Sequence, residues 1–160
     1  MKKIIIVLSM LISSVAIAQK HNIVNASIAL RNAKKATGDD IGVLLAEAKD
    51  YIDLAYSNES TSNEPKMWNY RAPIYLEIAL KKPELDNKAI LKATDSYIKC
   101  LTKGKKDRII VRKWTPKEDV LAGLIQCGYK LFNLGIDKYN EGDYQASLDF
   151  YEKIFAIVPF

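Results

Sequence analysis

Leu131-Phe-Asn-Leu-Gly135, followed by Tyr139, Gly142-Asp143-Tyr144, Ser147, Tyr151, Ile154 and Pro159, decides what kind of fold this chain adopts. The apolar positions recur at three- and four-residue intervals on either side of Gly142-Asp143, which predicts two amphipathic helices joined by a tight turn. Where two helices cross closely, each needs a small residue at the contact. Gly135 in the first helix and Ser147 in the second supply them. Leu134, Tyr139, Tyr144, Phe150 and Tyr151 are expected to fill the gaps between the helices, and Pro159 to stop the second one.

Upstream the same unit recurs in looser form. Asn22 to Ala36 carries Ile23, Ala26, Ile28, Ala29, Leu30 and Ala33 at helical spacing, and Thr37-Gly38-Asp39-Asp40 supplies a stop and a new start. Ile41 to Tyr56 continues with Val43, Leu44, Ala48, Ile52 and Ala55 along one side, completing a hairpin. Ser57 to Asn63 has almost no apolar content and reads as a loop, closed by Pro65 in the first turn of the next helix. There Trp68, Ala72, Tyr75 and Ala79 follow at intervals of four, three and four. Pro73 lies inside that pattern, where it should kink the helix or remove a backbone hydrogen bond. Lys81-Lys-Pro83 breaks the run, and Asn87 to Leu101 forms the partner helix, with Ala89, Ala93, Tyr97 and Cys100 as its packing stripe.

A basic connector follows, Lys103 to Lys113, interrupted by Ile109-Ile-Val111. The triplet is expected to plug the core under a loop, since a lone strand would have no partner for its backbone hydrogen bonds. Thr115-Pro116-Lys117-Glu118 is a helix start with a capping-box spacing. The helical pattern then runs to about Tyr139, roughly 36 Å if unbroken, with Gly123 and Gly128 as points of bending or close packing.

Composition narrows the alternatives. Seven Gly and five Pro in 160 residues, with 49% apolar and 27% charged, describe a folded domain rather than a disordered chain. Met1-Lys-Lys3, the apolar run Ile4 to Ala16 and the small-x-small Ala16-Ile17-Ala18 have the three parts of a secretory signal peptide over residues 1–18. The apolar run falls short of the roughly 20 residues that span a bilayer, so no membrane span is expected after cleavage. The mature chain would then be exported to a periplasm or cell envelope, or secreted, with 22 basic against 19 acidic residues. So small an excess predicts little about partners. Cys100 and Cys127 read as buried small hydrophobes, with a disulfide as the alternative an oxidising compartment allows. Two Cys and one His make no closed zinc site, so neither a metal nor a cofactor is expected.

The last hairpin resembles the tetratricopeptide repeat family, with Lys138 standing where an aromatic is common and Tyr139 beside it. Trp68, Ala72 and Tyr75 match the first-helix pattern of that repeat, and Ala93, Tyr97 and Cys100 the second. The first hairpin retains Ala48, Ile52 and Ala55. The equivalent small residues Ala48, Ala93 and Ser147 lie 45 and 54 positions apart, against about 34 in a regular array. The resemblance therefore implies an all-α fold over residues 19–160: an α-α superhelix of about three irregular hairpins at about 22–56, 65–101 and 115–158.

It also implies function. Repeats of this family bind peptides or proteins on the concave face lined by their first helices, which in the last hairpin would be Tyr129, Phe132, Ile136, Tyr139 and Asn140. A stripe at that spacing is equally what core packing would produce. The crowding of Tyr151, Ile154, Phe155, Ile157, Val158 and Phe160 implies a surface that self-associates, meets a partner, or continues into further repeats. Catalytic residues are not expected. There is no Gly-rich phosphate loop and no G-x-S-x-G. His21 falls near the expected mature terminus, where order is not anticipated, and Asp39-Asp40 and Glu118-Asp119 suit helix starts. The basic connector reads as solvated, and export argues against nucleic acid.

Overall fold

The computed structural model describes residues 20–102 and 117–160, and every regular element in them is helical. Helix α1 covers residues 20–33, α2 Asp40–Ser57, α3 Pro65–Lys81, α4 Ala89–Leu101, α5 Lys117–Asn140 and α6 Tyr144–Phe155. A single 3-10 turn, Pro83–Leu85, separates α3 from α4. The expected signal segment, the basic connector with the triplet expected to plug the core, and the expected helix start at Thr115-Pro116 lie outside the described residues.

The turns follow local chemistry. Gly38 and Gly142 both adopt positive φ, at 63° and 82°, which side-chain-bearing residues rarely do. Asp143 then caps α6, its carboxylate accepting the Ala146 N–H at 3.1 Å. Asp39 stands at the corresponding position before α2 but makes no side-chain cap bond. The polar segment before α3 is more than a solvated loop: Thr61 is fully buried, and its hydroxyl donates to the Ala55 carbonyl at 2.6 Å. That bond satisfies one of the carbonyls left over at the end of α2. His21 lies in the first described turn of α1 rather than in an irregular terminus.

Most expected stripes point inward, with local exceptions. In α1, Ile23, Ala26, Ala29, Leu30 and Ala33 are buried, but Ile28 faces solvent. In α2 the buried face is Leu45, Ala48, Ile52 and Ala55, and Val43 is exposed. Val43 sits five residues before Ala48, about 140° around the helix, whereas Leu45 keeps the three-residue step. Helix α3 continues through Pro73, because Ala72, Ile74 and Tyr75 beside it are completely buried and tertiary packing outweighs the lost backbone bond. Ala72, Tyr75, Ala93 and Tyr97 are all buried as expected, while Trp68 is half-buried. Helix α6 ends at Phe155, four residues before Pro159, and the chain closes in tight turns whose Ile157 N–H bonds to the Ile154 carbonyl at 2.9 Å. Pro159 therefore does not terminate the helix directly.

The helices pack in chain order. Helix α3 lies along α4, α5 along α6, α2 against α3, α4 against α5, and α3 also reaches α5. Lys20 pairs with Glu64 and Lys34 with Glu77, so the beginnings and the ends of α1 and α3 meet and these two helices run parallel. Lys153 of α6 pairs with Asp95 of α4, joining alternate helices on the other side. Alanines 26, 29, 33, 48, 55, 72, 79, 89 and 93 are buried along these contacts, where their small side chains let the backbones approach.

Candidate functional site

The last hairpin is held together by the residues that identified it. Ser147 is buried, and its hydroxyl donates to the Gly135 carbonyl at 2.8 Å. A Cβ on Gly135 would stand 2.8 Å from the Tyr151 ring, so the glycine is what allows that ring to lie across α5. Leu134, Phe150 and Tyr151 are half-buried in the contact. Tyr139 and Tyr144 are not gap fillers: both are exposed and pack edge-on against each other at the hairpin end, ring centroids 5.2 Å apart.

Helix α5 carries two apolar faces. Val120, Leu124, Cys127 and Leu131 enter the core, with Gly123 and Gly135 buried beside them. Tyr129, Phe132, Ile136 and Tyr139 lie on the other side, from 39% exposed at Ile136 to 71% at Tyr129, and Asn140 is exposed with them. The core-packing reading of this stripe is therefore incorrect. The physical reason is that α5 meets α3 and α4 along its other face, leaving none of their surface for this one.

The exposed stripe is longer than the residues singled out from the sequence. Ile125 extends it by one turn, and Tyr144, Leu148 and Phe155 form a matching exposed stripe on α6. The two stripes touch, since Phe132 meets Tyr151 at a 6.1 Å ring separation and Tyr139 meets Tyr144. Ile125 and Leu148 were legible as continuations of the same four-and-three spacing. The consequence is one continuous exposed apolar face shared by two antiparallel helices. Its counterpart one hairpin earlier, between α3 and α4, is occupied by α5.

A second group of residues was not anticipated. Arg71, the sole charge between Met67 and Leu76, is buried between the rings of Tyr56 and Tyr75, at 4.1 and 4.5 Å from their centroids. Its Nη1 pairs with Asp53 at 2.5 Å, and the Tyr75 hydroxyl donates to the same carboxylate at 2.6 Å. Burial alone would raise the Asp53 carboxyl, but hydrogen bonds from Tyr75 and Arg71 and the charges of Arg71 and Lys49 hold it below its ordinary value. The lone charge in an apolar run was the available signal for Arg71. Its partner, 18 residues away, left none.

Cys100 and Cys127 are buried free thiols, and burial pushes each up to about 12. They are protonated and inert at neutral pH. Among the described residues, no group of three or more His, Cys, Asp or Glu gathers to hold a metal ion, and no helix is long and apolar enough to cross a membrane. Compared with known protein families, curated proteins and solved structures, the chain matches no family model, no curated protein and no solved structure.

Proposed function

We propose that this protein is a tetratricopeptide-like, non-catalytic interaction module of the periplasm or cell envelope, and that it binds an amphipathic helix of a protein partner on the exposed apolar α5–α6 face. The observation that carries this reading is the continuous exposed apolar face running from Ile125 to Tyr139 on α5 and across the aromatic pairs onto α6. Apolar surface of this extent marks docking sites. Its three- and four-residue spacing suits pairing with an amphipathic helix whose own anchors recur at the same steps. Consecutive hairpins, a Gly135–Ser147 crossing and a Gly142-Asp143 turn support the family reading. Export rests on the charge, apolar run and cleavage pattern of residues 1–18. This face extends the site beyond the first helix, so Leu148 and Phe155 join Tyr129, Phe132, Ile136 and Tyr139 as anchors.

The test compares the wild type with Ile125→Asp/Tyr129→Asp, two of the more exposed positions of the stripe, as baits in envelope extracts, after both are shown to melt at the same temperature. A protein retained by the wild type and lost from the double variant is the expected result. Equal retention by both would sink the assignment of the site. A second reading, self-association through the same face, is favoured by the exposed Phe155 and Val158 near the end of the hairpin. Sedimentation over a hundredfold range of concentration separates the two, because only self-association changes the mass of the isolated protein.

A further inference from the structure

A cavity of about 390 Å³ opens where α2, α3 and α4 meet, away from the apolar α5–α6 face. Tyr56 and Trp68 wall it with rings packed edge-to-face at 5.5 Å, and Arg71, Lys92, Ser96 and Lys99 bring polar atoms to its lining. Three cations against one acid, Asp95, make the lining positive, and Asp95 is itself held by Lys153.

Structural needs account for part of this cluster. The Arg71–Asp53 pair ties α3 to α2, and Lys92 is engaged by Asp86 at 2.6 Å. They leave two features over. The guanidinium has five donors, yet among the described residues it meets a carboxylate through Nη1 alone. Lys99 meets no carboxylate among the described residues, and its ammonium stands 5.9 Å over the Trp68 ring.

We propose that this cavity binds a small organic anion, a carboxylate or phosphate monoester carried on an aromatic ring. The anion sits toward Arg71 and Lys99, and the ring lies against Tyr56 and Trp68. Two cationic groups around one cavity suit charge-assisted hydrogen bonds to an oxyanion. The volume exceeds what a free ion fills and falls in the range of small-molecule sites, about 300–1,000 Å³. The aromatic walls supply the apolar contact that a bare ion could not use.

The experiment titrates the full chain with phenyl phosphate and with benzoate, and with inorganic phosphate and benzyl alcohol as half-ligands. Trp114→Phe leaves Trp68 as the only indole, so its emission reports directly on the cavity; calorimetry on the unaltered chain provides a second readout. Saturable binding of phenyl phosphate or benzoate is expected, with both half-ligands weaker by about tenfold or more. Whichever of the two aryl anions binds more tightly identifies the oxyanion. Lys99→Gln, on an exposed helix face, should weaken that binding by about tenfold while leaving the melting temperature unchanged. Absence of saturation up to about 10 mM by both methods, a half-ligand binding as tightly as the aryl anions, or full affinity in Lys99→Gln would each overturn the proposal.

Discussion

A Cβ at Gly123 would overlap the Tyr97 ring, whereas one at Gly128 would meet nothing closer than the Ile157 Cδ1 at 3.9 Å. The two glycines look alike in the sequence and should respond oppositely to the same change. Gly123→Ala gains about 1 kcal/mol of helix propensity but overpacks a site where Tyr97 is itself buried, which costs about 1–3 kcal/mol. A net loss in urea unfolding is expected there, against a gain of up to about 1 kcal/mol for Gly128→Ala. Asp53 is the other residue whose weight exceeds its appearance. Its carboxyl titrates below the unfolded value of about 3.9, so its contribution is fully present above that pH. It is lost as pH falls through the lower folded value. Asp53→Asn strands a buried guanidinium. Its side chain is 32% exposed, so the expected cost at pH 7 is on the order of 2 kcal/mol, below that of a fully buried pair. Once the pH falls below the lowered folded value and the native carboxylate is itself protonated, the difference between variant and wild type should shrink.

Helix α5 shows what an element's sequence can and cannot say. Both of its apolar stripes have helical spacing, so amphipathicity identifies the helix without choosing the buried side. The contact with α3 and α4 makes that choice, burying Leu131 completely and leaving Tyr129 and Phe132 outside. Leu131→Ala should therefore cost about 2–5 kcal/mol, while Tyr129→Ala should stay within about 0.5 kcal/mol of the wild type. Phe132→Ala should fall between them, because its ring also meets Tyr151. Thermal melts followed by circular dichroism would rank the three, and equal losses at Leu131 and Tyr129 would contradict the described packing. In α3 the same logic runs in reverse. Pro73 argues against a continuous helix locally, and the burial of its neighbours on α3 overrules it.

Across the whole molecule, four buried acids share one pH response. Cys100 and Cys127 are pushed up to about 12 by burial, and Tyr75 and Tyr97 are raised well above their ordinary value by the same cause. The folded protein keeps these protons at pH values where the unfolded chain, with thiols near 8.5 and phenols near 10, releases them. Their contribution to stability is thus fully present below about pH 8 and falls as pH rises toward 12. Urea midpoints at pH 8 and pH 10 should show the decline, and Cys100→Ala/Cys127→Ala should make it shallower; a midpoint that does not move with pH would contradict the burial of these groups. Most of the helical framework was legible beforehand, since spacing, Pro65, Gly38 and the Gly142-Asp143 turn all act within a turn or two of chain. The candidate stripe on α5 was legible as a list of residues, although its exposure and its continuation onto α6 were not. By itself the sequence determined where helices run and where the chain reverses, because those depend on neighbouring residues. Only the tertiary structure decided that Leu45 rather than Val43 packs, that Arg71 finds Asp53, and that the apolar α5–α6 face stays uncovered. Burial is a property of two surfaces meeting, and the residues that meet are set by the packing of helices distant in the chain.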